Sequence, residues 1–384
     1  MTAPVVVRPV ATRGDLKAFI DLPYRLYARP EFANWVPPLR VAVADVLDEK
    51  RNPFYRNAAR ELFLAFRGDA LVGRIAAVEN RAHNQFHNDR TGFFGFLDCI
   101  NDHDVASALL DAASAWLTAR GLDKMWGPMN PSTNHECGML IEGFEHRATF
   151  MNTWNPPYYA ELCDRAGLVK CKDLLAVWFS VKGADFTPPP VVARLAERAL
   201  QGGRMTFRDV DLANWSRDVA ICWEIYNEAW EQNWGFVPMT REEFEHSAKD
   251  LKMLLRPDLS FIAYVGDTPA GFMLALPDYN EALRFNRSGR LLPLGLARML
   301  WYKRRMKTAR VFALGTRMAY RSRAILPLFT YEIMRRGQAI GGEGAEASWL
   351  LEDNHLIVKP MYTMGATDRM KWRIYERNLV GPTA

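Results

Sequence analysis

Two groups of side chains in this sequence have the types and spacing for proton chemistry. His83 and His87 stand four residues apart. On a helix that spacing puts both rings on one face, as in many metal sites. The surrounding stretch, 80–90, is polar and follows an apolar run, so it reads as a loop. No acidic third ligand stands at a recognisable spacing, and no metal is expected. The pair is then either a general base or substrate-binding pair, or two ordinary loop histidines. The second group is Asn130, Asn134, His135 and Glu136, in a segment broken by Pro131 and Gly138 just after a predicted strand end. α/β sheets place binding loops there. Glu136 lies between His135 and Cys137 ahead of an apolar run, and partial burial would raise its pKa as a base requires. It can equally pin the loop.

The elements that must hold these groups repeat along the chain. Phe63, Ala65, Gly68, Asp69, Gly73 and Ala77 recur without a gap as Phe261, Ala263, Gly266, Asp267, Gly271 and Ala275. Each copy is an apolar run, a Gly-Asp turn and a second apolar run, the pattern of a hairpin. Strands at 5–8 and 205–208 precede the hairpins. A strand (92–98; 310–315), a helix ending in Gly (105–121; 325–337), a strand ending in Asn (125–130; 345–354), a short helix (156–167; 355–365) and a last strand (174–181; 370–376) follow them. That order gives an α/β fold of two similar domains, each a mixed sheet with helices. Three consecutive prolines, Pro188–Pro190, fit neither a helix interior nor a central strand. The division predicted is therefore 1–182, a linker and connecting helix at 183–203 (the helix at 191–201), and 204–384.

Length alone calls for about two domains. A chain 49% apolar and 24% charged has the composition of a globular protein. No run of about 18 uncharged apolar residues is present, and Met1–Arg13 has no signal-peptide pattern, so a cytoplasmic protein is expected. The five cysteines are odd in number and form no Cys-x-x-Cys pair, which points to reduced packing residues. A net charge of +5 on 384 residues does not call for a nucleic-acid partner.

The order of elements resembles the GNAT superfamily, whose fourth strand runs into an Arg-x-x-Gly-x-Gly/Ala loop that grips the donor's pyrophosphate at a helix N-terminus. In the second half the segment similar to that loop is 315–326. The resemblance implies donor contacts from Gly315, Thr316, Arg317, Tyr320, Arg321, Ser322, Arg323 and Ala324, with Ala324 and Leu326 where small residues are usual, and from Asn354 at the end of the fifth strand. Met361 stands at the family's Tyr position and Tyr362 one residue later, so Tyr362 becomes the candidate acid. The first half has the acidic Asp98-Cys-Ile-Asn-Asp102-His-Asp104 there, which repels phosphate; a single donor site, on the second half, is expected.

A closer resemblance covers nearly the whole chain. The segments 52–55 (Asn-Pro-Phe-Tyr), 83–87, 92–96 (Gly-Phe-Phe-Gly-Phe), 127–138, 155–159 and 233–236 are similar to a bacterial family of tandem GNAT-like proteins that includes bacterial ceramide synthases. This implies an N-acyltransferase, transferring groups other than aminoacyl groups. The fatty acyl group would pass from acyl-CoA or acyl carrier protein, as co-substrate with no permanently bound cofactor, to the amine of a lipid such as a sphingoid base. Glu136, His83, His87 and Asn134 are the side chains offered for proton transfer and binding. Amine acylation needs no acyl-enzyme, so Cys137 receives no nucleophilic role. A tRNA-dependent aminoacyltransferase and a non-catalytic acyl-ligand-binding protein share the architecture. Lastly, the apolar stretch 291–302, followed by Lys303, Arg304, Arg305, Lys307 and Arg310, has the composition of a peripheral membrane contact or an acyl-carrier-protein dock over 291–310, and equally of a packed helix with a basic end.

Overall fold

The structure, a computed structural model, describes residues 3–183, 185–201, 203–291, 295–302 and 305–380, without the side chains of 298 and 300. The chain runs β1 (Val5–Pro9), α1 (Arg13–Leu26), α2 (Arg40–Val46), β2 (Ala58–Arg67), β3 (Ala70–Asn80), α3 (Arg81–His87), β4 (Thr91–Cys99), α4 (His103–Thr118), β5 (Lys124–Gly127), β6 (Met129–Asn130), β7 (Glu136–Cys137), β8 (Met139–Glu142), α5 (Tyr158–Arg165) and β9 (Val169–Ser180). It continues with α6 (Pro190–Leu200), β10 (Met205–Asp209), α7 (Trp215–Trp230), α8 (Arg241–Leu254), β11 (Phe261–Val265), β12 (Thr268–Pro277), α9 (Asn280–Leu283), α10 (Gly295–Tyr302), β13 (Thr308–Thr316), α11 (Ile325–Ala339), β14 (Gly344–Leu351), α12 (His355–Thr363) and β15 (Thr367–Asn378).

The predicted repeat is present down to its irregularities. Gly68 and Gly266 turn the two hairpins at φ of +60° and +59°, a conformation in which a side chain is strained. The β2–β3 register shifts between Ala65 and Phe66, and the β11–β12 register between Ala263 and Tyr264. These are the same position of the repeat. The stretch 81–87, expected to be a loop, is helical instead. The Asn80 side chain accepts a hydrogen bond from the His83 N–H, and this N-cap starts a helix directly from the strand end.

The chain forms two compact units: Met1–Leu174 with Leu283–Arg298 and Met370–Ala384, and Leu175–Ala282 with Met299–Arg369. This partition differs from the expected one at 183–203, because β9 and β15 each contribute residues to both units. In the first unit β1, β2, β3 and β4 pair antiparallel in sequence order, β5 pairs parallel with β4, and β15 pairs antiparallel with β5. Leu109, Leu110 and Ala113 of α4 pack on Ile75, Phe94 and Met125. In the second unit β10 to β13 pair antiparallel and β14 runs parallel to β13. There Leu328 and Phe329 of α11 pack on Phe261 and Met273. Both units are therefore mixed, mostly antiparallel sheets flanked by helices.

Candidate active site

In each unit the parallel pair stays joined for only a few rungs. β13 and β14 pair from Thr308↔Gly344 to Val311↔Ala347. Beyond that rung β13 runs on to Thr316 and β14 to Leu351 without pairing to each other. At the parting point the register with β12 passes from Ala275↔Val311 to Leu274↔Ala313, which leaves Phe312 as a bulge residue with no opposite number. Such a bulge turns a backbone group out of its ladder.

β13 leads through Arg317 into a 3-10 turn, Met318–Arg323, and then into α11. Ala324, the N-cap of α11, lies at φ +57° and supplies no side-chain cap. Glycine is favoured in that conformation, in keeping with the glycine of the related loop. Pro327 has no N–H to leave unsatisfied in the first turn. Arg321, Ser322 and Arg323 are exposed, and Arg321 donates to the Ala229 carbonyl at 3.0 Å. Arg317 is engaged elsewhere: its guanidinium meets Glu228 at 2.7 Å and Glu224 at 2.9 Å on α7. Gly315 lets α7 approach, since a Cβ there would stand 2.4 Å from the Trp230 ring. Thr316 and Tyr320 are half-buried, Tyr320 against the α11 core.

The corresponding parting in the first unit is occupied by the chain itself. β4 and β5 pair only from Thr91↔Lys124 to Phe93↔Trp126. Beyond them, a Cβ on Gly95 would lie 1.8 Å from the Met129 carbonyl oxygen, and one on Gly127 2.3 Å from that of Phe94. The Phe96 N–H donates to Asn130 Oδ1 at 2.7 Å. At α4, the Asp102 carboxylate accepts the Asp104 and Val105 N–H groups and pairs with Arg67 at 2.7 Å. A carboxylate thus holds the helix terminus where a phosphate would bind. Asp98, the first residue of that acidic run, lies in β4, within the expected strand 92–98, and forms a part-buried pair with Arg74 at 2.7 Å. Asp98→Ala strands a buried guanidinium, and it is expected to cost about 3–5 kcal/mol, read as loss of the first unit's unfolding transition.

His83 and His87 do meet, with ring centroids 4.4 Å apart on α3. His83 is buried against Phe93 and Trp126. Its Nε2 lies 3.7 Å from Asp89 Oδ1, and it has no hydrogen-bond partner among the described residues. Burial first, and then the neighbouring His87, push its pKa down to about 4. The unfolded chain therefore binds a proton here that the folded chain does not, between pH 6.5 and 4. The stability that neutral His83 contributes is complete above 6.5 and is lost as pH falls through that window. Thermal midpoints from pH 7 to 4 should fall less steeply in His83→Phe than in the parent. Among the described residues no group of acidic, histidine and cysteine side chains could hold a metal ion.

Asn134 lies in the turn that joins β6 to β7, as expected of a loop, whereas Glu136 lies on β7, facing Asn130 across the ribbon. Both are half-buried. Ser132 Oγ holds the Asn134 N–H at 3.2 Å and His135 Nδ1 at 2.8 Å. In the second unit, Asn354 begins α12 without a side-chain cap. Met361 is buried, whereas Tyr362 is 39% exposed and hydrogen-bonds Asp368. Burial pushes the Tyr362 pKa up to about 12, so it remains protonated. Asn227 of α7 clamps the Met239 backbone with two bonds of 3.0 Å. Sequence reasoning missed Arg310, Glu346 and Arg369. Arg310 belongs to no basic surface: it is buried in β13, with Nε 3.0 Å from Ser348 Oγ. Ser348 Oγ in turn lies 2.8 Å from Glu346, which pairs with Arg369 at 3.0 Å. Of the 291–310 stretch, Leu294, Lys303, Arg304 and the side chain of Leu300 lie outside the described residues. Leu296 and Trp301 are 40% and 55% exposed, and the Arg305 guanidinium covers Trp301 at 3.6 Å. Lys307 pairs with Glu343 at 2.9 Å.

No protein-family model matches the sequence. Two curated proteins do. Protein YghO of Escherichia coli K12 is 34% identical, over 97% of this chain and 95% of its own. The bacterial ceramide synthase of Caulobacter vibrioides is 34% identical, over 98% of each. Among solved structures, a tandem GNAT protein from the clavulanic acid biosynthesis pathway superposes with a TM-score of 0.55 at 12% identity, covering 99% of this chain and 100% of that one. Identity at this level along nearly the full length, on the same fold, shows that the chain belongs to the family of tandem GNAT-like acyltransferases that includes the bacterial ceramide synthases.

Proposed function

We propose that this enzyme moves a fatty acyl group from an acyl thioester, acyl-CoA or acyl carrier protein, to the amine of a lipid, with a sphingoid base as acceptor. The observation that carries the donor assignment is the contrast between the units. In the first, Asn130 takes the Phe96 N–H and Asp102 takes the helix terminus. In the second, β13 and β14 part beside the Phe312 bulge, and α11 begins without a side-chain cap. A thioester carbonyl lying at the bulge would meet backbone N–H groups suited to a developing oxyanion. Phosphate would lie by Arg321, Ser322 and Arg323, with Gly315, Thr316, Tyr320, Ala324 and Asn354 shaping the approach.

The acceptor assignment is supported by the ceramide synthase relative. No helix among the described residues is long and apolar enough to cross a membrane. An amine carried on a long chain then has to be met at the bilayer surface. Exposed Trp301, with the Arg305 guanidinium over its ring, supports such a contact. Glu136, His87 and His83, with Asn134, are the proton-transfer and binding candidates, and Tyr362 is a protonated donor near the second unit's surface. Incubating the purified protein with sphinganine and palmitoyl-CoA or palmitoyl carrier protein, then detecting ceramide by mass spectrometry, tests the reading. Product from neither donor removes it.

A further inference from the structure

On the α11 side of the second unit's sheet lies an apolar cavity of about 60 Å³. Close-packed layers rarely leave a void larger than one water, and this one has room for about five water-sized groups. Ala345 and Ala347 of β14 line it, while Glu346 and Ser348 alternate to the other face. Met273, Met334 and Met361 contribute flexible side chains able to fit a variable occupant. Arg256 and Lys307 reach the lining, but each has its own carboxylate, Asp258 at 2.5 Å and Glu343 at 2.9 Å. Neither charge therefore needs a counterion from within the cavity.

The position of the cavity identifies its occupant. Val311 and Ala347, the last paired rung of β13 and β14, both line it, and so does Leu314 beyond that rung. The void thus abuts the point where the strands part. We propose that it receives the methylenes that follow the thioester lying at that parting, so that its size limits how many carbons next to the carbonyl the site can hold. This rests on the reading of the second unit as the donor site.

Direct binding tests it without an acceptor or a thioester. Fluorescent cis-parinaric acid bound to the full chain should be displaced by saturated fatty acids, with affinity rising steeply from butyrate to octanoate and little beyond it. Each buried methylene contributes a factor of about four. Ala347→Leu puts about three carbons into the void, so octanoate displacement should weaken by about 60-fold and butyrate by much less. Met334→Ala deepens the void and should move the preference to longer chains. This second variant keeps the test open if the first does not fold. Absence of parinaric acid binding to the parent chain, or an unchanged chain-length series in the folded variants, overturns the proposal. Chain-length-selective binding that shifts with both variants, in a protein that makes no ceramide, supports the cavity and removes the acyltransfer reading alone.

Discussion

Glu136→Gln and His87→Asn are expected to lower acyl transfer by about 10²–10⁴-fold, the range for removing a general base, with thermal midpoints unchanged. An alkyl amine is protonated near neutrality and attacks only as the free base, so a proton acceptor beside it controls the rate. His83 is poorly suited to that role: its burial and its neighbour hold its pKa near 4, which leaves it almost no proton affinity at pH 7. His87 is the outer ring of the pair and half-buried, which makes His83 a positioning residue beneath it. The variants separate these roles. His87→Asn should lower the rate and regain part of it with added imidazole. His83→Asn should lower the rate with no response to imidazole. Parental rates in all three would leave the backbone and the substrate's own groups as the source of catalysis.

Arg321→Glu combined with Arg323→Glu should weaken acyl-CoA binding by about 100-fold or more. A hydrogen bond to a charged group is worth about 1.5–3 kcal/mol, or about 10–100-fold for each lost contact. Both side chains are exposed, so the fold should tolerate the change. The matching test in the first unit is Asp102→Asn, which keeps a capping side chain on α4 and removes its negative charge. Asp98 cannot serve, since its partner Arg74 is buried. Asp102→Asn should leave titrations with acyl-CoA unchanged. Equal affinities across all the variants would remove the single-donor assignment, and a loss confined to Asp102→Asn would move the donor to the first unit.

Much of this architecture was legible in the sequence because strand pairing and hairpin turns leave local marks. Gly68-Asp69 and Gly266-Asp267 fixed both hairpins, and the Pro188–Pro190 run marked the start of α6. The helical α3 was not legible: its cap, Asn80, is the last residue of a strand, and a polar stretch after a strand resembles a loop. The filled parting in the first unit was equally hidden. Asn130 carried a signal as a strand-ending Asn and as one of the polar group 130–136, and its bond to the Phe96 N–H depends on a register shift between β3 and β4 that no spacing reveals. Arg310 was misplaced for a related reason. Read in series with Lys303–Lys307 it looks like one more basic surface residue, whereas the start of β13 turns it inward toward Ser348 and Trp349.

The last strand gives synthesis an order. Tyr375↔Gly127 through Asn378↔Lys124 close the first unit's sheet, and Trp372, Ile374 and Tyr375 are all but inaccessible. The ribosome finishes the rest of that unit's strands by Leu174, yet β5 waits for its partner until residues near the far end of the chain emerge. At about 5–20 residues per second the delay is on the order of 10–40 s. During it the edge at Lys124–Gly127 is an open template for another nascent chain. Expressing the first half alone should therefore give an aggregating product, and adding a peptide spanning 367–380 in trans should return it to solution.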